Sequence, residues 1–313
     1  MRSDAIALPR LGLGTAAALG VMGTAISDEA ADAVVATAYA RGIRFFDTAP
    51  LYGGGLAEER LGRVLRTLPR DDIVLSTKTG VTRPYRQAAS PPGGLRRRSA
   101  DVWDYSPEAT KRSVALSLER LGVERLDLVH LHDVDGRVDQ AMAAYPALDE
   151  LRAAGVIAGI GIGANHVDAP LALLERGRFD AVLVPGRYTL LDQTALPALL
   201  PLALERSIRT VIGGVFNSGV LAGQSTFDYD LADRTILKKV EGLRVVSRRH
   251  GVDLKAAALQ FPLAHKAVTS LLLGPRSVAE LEENLVALST SIPAAFWDEL
   301  RDRRLLDARA PTP

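Results

Sequence analysis

The 313-residue chain contains no cysteine. That excludes a disulfide framework, thiolate metal sites and cysteine nucleophiles, and it suits a reducing compartment. Charge of either sign is not in excess: the formal net charge is +1, which gives no reason to expect nucleic acid or an anionic membrane as partner. No run approaches the roughly 18 consecutive apolar residues that a membrane span needs. The opening MRSDAIALPRLG lacks the apolar core of a secretory signal, so a cytoplasmic protein is expected. A nucleophile elbow of the form G-x-S-x-G is missing. The five histidines lack ligand spacing, and with no cysteine a metal site is not expected.

What is present is core-forming material, 47% hydrophobic, enough for a sizeable buried interior. Length alone allows two ordinary domains or one large barrel. Apolar runs at Leu11–Gly14, Ile43–Asp47, Ile73–Lys78, Leu126–His132, Ile157–Gly163, Ala181–Val184, Ile208–Ile212 and Ser270–Leu273 read as strands. Between them lie segments of helical period, among them SDEAADAVVATAYARG, SPEATKRSVALSLERLG, VDQAMAAYPALDELRAAG and VDLKAAALQFPLAHK. Ser27 caps the first, which closes at Gly42, while Ser106 caps the second with Pro107 at its first position. Eight strand-then-helix units predict an α/β fold, a single-domain (β/α)8 TIM barrel over residues 1–313. No Pro/Gly/Ser linker divides it. Thr79 to Tyr105 reads as a long loop over one end of the barrel, and the tail RAPTP, 309–313, is expected to fray.

In such a barrel the chemistry sits at the C-terminal ends of the strands. Reading those ends gives Asp47, Lys78, His132 and Asn165, with Tyr52 in the loop after the second strand. Singly, each has a plain structural reading: a cap, a solvated charge, a core histidine. Together they occupy one rim. A phenol of pKa about 10 transfers protons poorly at neutral pH. An ammonium from Lys78, held by Asp47, is expected to lower that value, with His132 orienting the substrate oxygen. Tyr52 is then a general acid toward a carbonyl and a general base toward an alcohol. A proton-transfer tyrosine without metal or nucleophile implies a nicotinamide cofactor.

These motifs resemble the aldo-keto reductase superfamily along almost the whole chain. GIRFFDTAPLYG is similar to G-x-x-x-x-D-T-A-x-x-Y-G, VLSTKTG to the strand-three lysine motif, and RLDLVHLHDVD to the segment ending in the catalytic histidine. GIGIGAN is similar to the strand-five Ser-Asn element, and GPRSVAELEEN to the C-terminal cofactor clamp. The resemblance implies that Asp47, Tyr52, Lys78 and His132 are the catalytic tetrad. It implies that Tyr52, His132 and Trp103 meet the substrate, Trp103 because the loop carrying it overhangs the barrel mouth. His132, five residues after Asp127, is selected over His130, which is read as structural; His166, His250 and His265 have no motif support. Cofactor contacts implied are Thr15, Asp47, Asn165 (on the carboxamide), Phe216, Asn217, Ser218, Gly219, Gly274, Arg276, Ser277, Glu280, Glu283 and Asn284.

Three positions depart from the pattern: Ala164 stands for a serine, Pro185 for a glutamine, and Gly213 for the aromatic that stacks on the nicotinamide. Tyr188 and Phe216 are the candidate replacements, and the Phe216–Gly219 turn offers backbone amides to a pyrophosphate. Gly274, Pro275 and Glu280 stand where NADP-dependent relatives often have Lys, Ser and Arg. Glu280 favours NAD, by repelling a 2′-phosphate and accepting from a 2′-hydroxyl; Arg276 favours NADP. NAD is expected, with NADP possible. LGLGTAAALG and the segments around both caps resemble the D-threo-aldose 1-dehydrogenase and L-fucose dehydrogenase branch, which implies oxidation of C1 of a sugar. The partner expected is thus a small molecule, with the oligomeric state left open. Alternatives are a general NADPH-dependent carbonyl reductase, a pyridoxal dehydrogenase, and a non-catalytic nicotinamide-binding regulatory subunit. A Rossmann reading of GIGIGA fails, because its glycines lie inside a strand and Asp180 precedes one. The LRRRS run, Leu95–Ser99, is read as a solvated loop face.

Overall fold

The apolar runs pair in parallel, and the computed structural model, which describes residues 6–19, 26–82 and 101–313, closes them into a barrel. Its strands are β1 (Leu11–Gly14), β2 (Phe45–Asp47), β3 (Val74–Thr79), β4 (Leu126–His132), β5 (Ile157–Gly163), β6 (Ala181–Leu183), β7 (Arg209–Ile212) and β8 (Val268–Leu273). Each pairs with its sequence neighbours, and β1 with β8 completes the circle. Strand ends differ from the sequence expectation by two residues at most, as frayed edges do.

The helices start where the caps say. The Ser27 hydroxyl accepts from Ala30 N at the head of Asp28–Ala40, and Ser106 from Ala109 N at the head of Pro107–Leu121. The single helix expected over 138–155 is broken into Val138–Met142 and Tyr145–Ala153. Pro146 has no N–H to give the Met142 carbonyl and its ring crowds that group, so one helix cannot run through. Pro262 likewise ends Leu254–Gln260 in a 3-10 turn, Phe261–Ala264. Among the described residues no helix is long and apolar enough to cross a membrane.

Two apolar layers result. The larger lies between strands and helices; the smaller, Phe45, Leu183, Val211 and Leu272 with Leu8 and Val74 against it, fills the barrel itself. Glycines make room for it. A Cβ at Gly12 would press on Phe45 and Leu272, and one at Gly161 would collide with the His130 ring. The glycines of GIGIG therefore admit side chains to a barrel interior, which is why they imitate a dinucleotide fingerprint without being one. At the foot of the barrel Arg209 Nε donates to the Ile6 carbonyl (2.8 Å), and the Ile6 side chain fills the space beside Gly159.

Two expectations about irregular segments change. The tail is docked: Ala310 is buried, and Arg301 donates to its carbonyl (3.4 Å) and to Thr312 Oγ1 (2.6 Å). The long loop is closed at its base by an antiparallel pairing of Val81–Thr82 with Val102–Trp103. Its middle, with the LRRRS run, lies outside the described residues.

Candidate active site

The stretch GIRFFDTAPLYGGG carries β2 to the rim. Tyr52 opens a 3-10 turn in which Gly53, Gly54 and Gly55 have φ of 64°, 64° and 101°. Left-handed backbone at three successive positions strains any side chain, and glycine relieves it. A Cβ at Gly55 would also strike Arg120. That guanidinium donates to the buried Glu58 (3.0 Å), which accepts from Thr77 Oγ1 (2.8 Å) on the outer face of β3. The turn is thus fixed from behind, with the phenol facing the barrel.

Register assembles the rest. Asp47 lies opposite Ser76, Lys78 opposite His130, and His132 opposite Gly163, so successive strands deliver polar groups at the same height. Lys78 Nζ donates to Asp47 Oδ1 (2.6 Å) and to the Thr48 carbonyl (2.7 Å), and Ser76 Oγ donates to Asp47 Oδ2 (2.6 Å). Nζ stands 4.8 Å from the centre of the Tyr52 ring. The Tyr52 and His132 rings meet edge to face, 5.8 Å apart at 84°. Asp47, Tyr52, Lys78 and His132 are all buried. The four residues expected from the motifs therefore come together.

The electrostatics differ from the expectation. Burial, and then the carboxylates of Asp47 and Asp133, push the Tyr52 hydroxyl well above 10. Lys78 does not offset this, because its ammonium is engaged by Asp47 and the Thr48 carbonyl. Tyr52 is thus held as a neutral phenol, the form that donates a proton. Burial, followed by the Lys78 ammonium, holds His132 well below 6.5, so it is a neutral imidazole at physiological pH.

His130 lies one layer deeper and is pushed down to about 4, chiefly by burial. With the folded value below the unfolded one, this residue supports the fold fully above about pH 6.5 and less as pH falls toward 4, by about 3 kcal/mol in all. Between pH 7.5 and 5.0 the share of the stability loss due to His130 is about 2 kcal/mol, so the loss read by urea unfolding should shrink by about that much in His130→Gln while the share of His132 remains. An equal loss in that variant would assign the acid sensitivity elsewhere.

Several partners of the tetrad carry no motif. Tyr105, seated over Gly80 (φ 101°), donates to the His132 carbonyl at 2.5 Å and so holds the end of β4. Asp133, itself left-handed at φ 51°, has Oδ1 3.9 Å from His132 Nε2. It accepts from Asn165 Nδ2 at 3.1 Å. Arg187 donates from Nε to the Asn165 carbonyl and from its other nitrogens to Asp192 (2.9 Å) and Asp228. Their only sequence signal was charge inside loops that follow barrel strands. Trp103 is half-buried beneath the Arg137 guanidinium, 4.5 Å from the ring centre.

The remaining expected cofactor residues line the ends of β1, β7 and β8. Thr15 Oγ1 is buried and makes no hydrogen bond among the described residues. The Phe216–Gly219 turn departs from the expectation: Asn217, Ser218 and Gly219 are left-handed, but Asn217 N donates to the Gly214 carbonyl (2.8 Å) and Gly219 N to the Phe216 carbonyl (3.0 Å), so these two amides are engaged within the chain and not offered to an anion. The Asn217 side chain is spent internally as well, accepting from Thr189 Oγ1 (2.7 Å) and donating to the Gly186 carbonyl (3.3 Å). A Cβ at Gly213 would sit 3.9 Å from Pro185, and one at Gly274 would sit 3.7 Å from Ala17, ordinary contacts that leave both positions free of clashes. Ser277 caps Val278–Ser289, Glu283 pairs with Lys255 (3.1 Å), and Asn284 is buried. Tyr188 packs on Phe261 and His265 and is fully buried, so it is not a stacking partner. Phe216 remains half-exposed. The buried, unsatisfied Thr15 hydroxyl after β1 and the half-exposed Phe216 ring after β7 fit a bound dinucleotide. Among the described residues no three His, Asp or Glu side chains are grouped to hold a metal.

Comparison with known proteins agrees. The aldo/keto reductase family model matches residues 10–303. The chain is 39% identical to a D-threo-aldose 1-dehydrogenase of a Pseudomonas species, over 98% of this chain and 96% of that one. It is 40% identical to a pyridoxal 4-dehydrogenase of Microbacterium luteolum, over 95% and 94%. A solved aldo-keto reductase of Bacillus halodurans, in holo form, superposes with TM-score 0.75 at 25% identity, over 97% and 94%. With a family model over residues 10–303, a matching barrel and relatives over nearly its full length, the chain belongs to the aldo/keto reductase family, the nicotinamide-using oxidoreductases that act on CH–OH groups.

Proposed function

We propose that the chain oxidises C1 of a cyclic aldose with NAD, as a cytoplasmic single-domain enzyme, and that Asp47, Tyr52, Lys78 and His132 carry the reaction. The observation behind this is the buried rim in which Tyr52 stands between His132 (5.8 Å) and a Lys78 locked to Asp47 (2.6 Å). When bound, the nicotinamide exchanges a hydride with the reacting carbon. Tyr52 moves the proton of the oxygen on that carbon, taking it in oxidation and giving it in reduction. His132, neutral, hydrogen-bonds the same oxygen and fixes its direction. Asn165 binds the carboxamide, and the Phe216–Gly219 turn, Thr15, Gly274, Arg276, Ser277, Glu280, Glu283 and Asn284 hold the rest of the dinucleotide. Trp103 covers the substrate.

The preference for NAD is supported by one pair. Arg276 donates from its guanidinium to Glu280 (2.6 Å) and from its backbone N (2.8 Å). Arg276 is thereby neutralised as a phosphate ligand, while Glu280 keeps acceptor capacity for a ribose hydroxyl. Sugar as substrate is supported by the likeness to the D-threo-aldose 1-dehydrogenase. A second reading, pyridoxal, is supported by the likeness to the pyridoxal 4-dehydrogenase.

The test is absorbance at the reduced-nicotinamide band, with NAD⁺ or NADP⁺ and L-fucose, D-arabinose, L-galactose, D-glucose or pyridoxal. Reduction of NAD⁺ by a subset of the sugars is expected. Reduction by pyridoxal alone selects the second reading. Consumption of reduced cofactor by simple aldehydes only makes the protein a general carbonyl reductase. Retention of cofactor with no turnover makes it a binding subunit.

A further inference from the structure

After β7 the chain forms a tight hairpin in which Thr226–Phe227 pairs antiparallel with Asp230–Leu231. Its two turn residues, Asp228 and Tyr229, are both left-handed, with φ of 48° and 66°. Such a turn usually takes Asn-Gly or Asp-Gly, since a bulky side chain is strained there. A tyrosine at the second position costs stability locally, and such strain concentrates where a side chain is aimed at a ligand.

The surroundings hold the strained turn in place. Tyr229 N donates to Ser218 Oγ (2.9 Å), Thr226 Oγ1 donates to the Ser218 carbonyl, and Ser218 is itself left-handed at φ 59°. Asp228 is clamped by Arg187, which also grips the Asn165 carbonyl, and Asn165 reaches Asp133 beside His132. A continuous chain of polar contacts thus runs round the rim from the hairpin to the catalytic histidine. Tyr229 closes it. Burial and then the Tyr52 phenol, with Asp133 and Asp228, push its hydroxyl above the usual tyrosine value, so it is a neutral phenol. Among the described residues the Tyr229 hydroxyl makes no hydrogen bond.

We propose that Tyr229 donates a hydrogen bond to a substrate hydroxyl next to the reacting carbon, so that the Thr226–Leu231 hairpin selects polyhydroxylated substrates. Arg187 and Asp228 are its positioning residues. A phenol held neutral can donate, and the hairpin that carries it is tied to the rim through Asp228, Arg187, Asn165 and Asp133. The inference rests on Tyr52 being the proton-transfer residue.

The test compares wild type and Tyr229→Phe in the reduction of D-glyceraldehyde, which has a hydroxyl beside its carbonyl, and of propanal, which has none. In the variant kcat/KM for glyceraldehyde should fall about tenfold, mainly through KM, the size of one good hydrogen bond. For propanal it should stay within about twofold. An equal fall for both aldehydes, or no fall for glyceraldehyde, overturns the proposal. NADH affinity, read by fluorescence titration, should not change; weaker binding would make Tyr229 a cofactor residue and also overturns it. A wild-type chain that reduces neither aldehyde instead refutes the reading of Tyr52 and the inference with it.

Discussion

Replacing Tyr52 by phenylalanine abolishes measurable turnover, by about 10²–10⁴-fold in kcat, and leaves nicotinamide affinity unchanged. The variant loses one oxygen and keeps the ring that packs against His132, so the barrel and the cofactor cradle stay as they are. The wild-type pH dependence follows from the raised hydroxyl value. A phenol held above 10 is protonated throughout the neutral range, so reduction should be flat from pH 6 to 9. Oxidation draws on the small deprotonated fraction, and its rate should climb about tenfold per pH unit with no plateau below pH 10. His132 adds no acid limb near 6.5, because its imidazole is already neutral there. A plateau of the oxidation rate near pH 7 would contradict a phenol held by burial. Near-wild-type turnover in Tyr52→Phe would remove this residue from the reaction altogether.

Lys78→Met destabilises the fold by about 3–5 kcal/mol, since it strands the Asp47 carboxylate in a buried site. Lys78 and Asp47 side chains are 1% and 4% exposed, so water does not replace the lost ammonium. Among the described residues only the Ser76 side chain continues to donate to the carboxylate. The loss is a large part of the stability of an ordinary domain, and urea midpoints measure it. Pairing Lys78→Met with Asp47→Asn should restore most of the stability, because no uncompensated charge remains, while turnover stays lost. If the double variant is as unstable as the single one, the ion pair is not what Lys78 contributes. If the double variant turns over, neither charge takes part in the chemistry.

The barrel was legible because its signals are local and repeated. Each strand is a short apolar run, and Ser27 and Ser106 cap their helices by contacts within three residues. The meeting of Asp47, Tyr52, Lys78 and His132 was legible for a related reason: strand order and register put residues at strand ends on one rim, and Asp47, Lys78 and His132 are strand residues. What was not legible comes from long-range contacts between loops. Tyr105 reaches His132 across 27 positions, and Arg187 reaches Asp228 across 41; no local pattern announces either. The direction of the Tyr52 shift was missed because adjacency to a lysine suggested attraction, whereas burial outweighs an ammonium already paired with Asp47. Pro146 and the docking of Ala310 show the same limit, a periodic or polar stretch read without the neighbours that interrupt or receive it.

The apolar plug of Phe45, Leu183, Val211 and Leu272 lies directly below the polar rim, and the segment from Ile6 stops the barrel beneath it. Electrically the barrel is a stoppered insulator. Among the described residues this apolar layer parts the rim from the foot of the barrel, so in the proposed reaction a proton bound for Tyr52 or leaving it crosses the mouth that the substrate also uses. Proton traffic and substrate traffic share a single gate, and whatever covers that gate during turnover seals both.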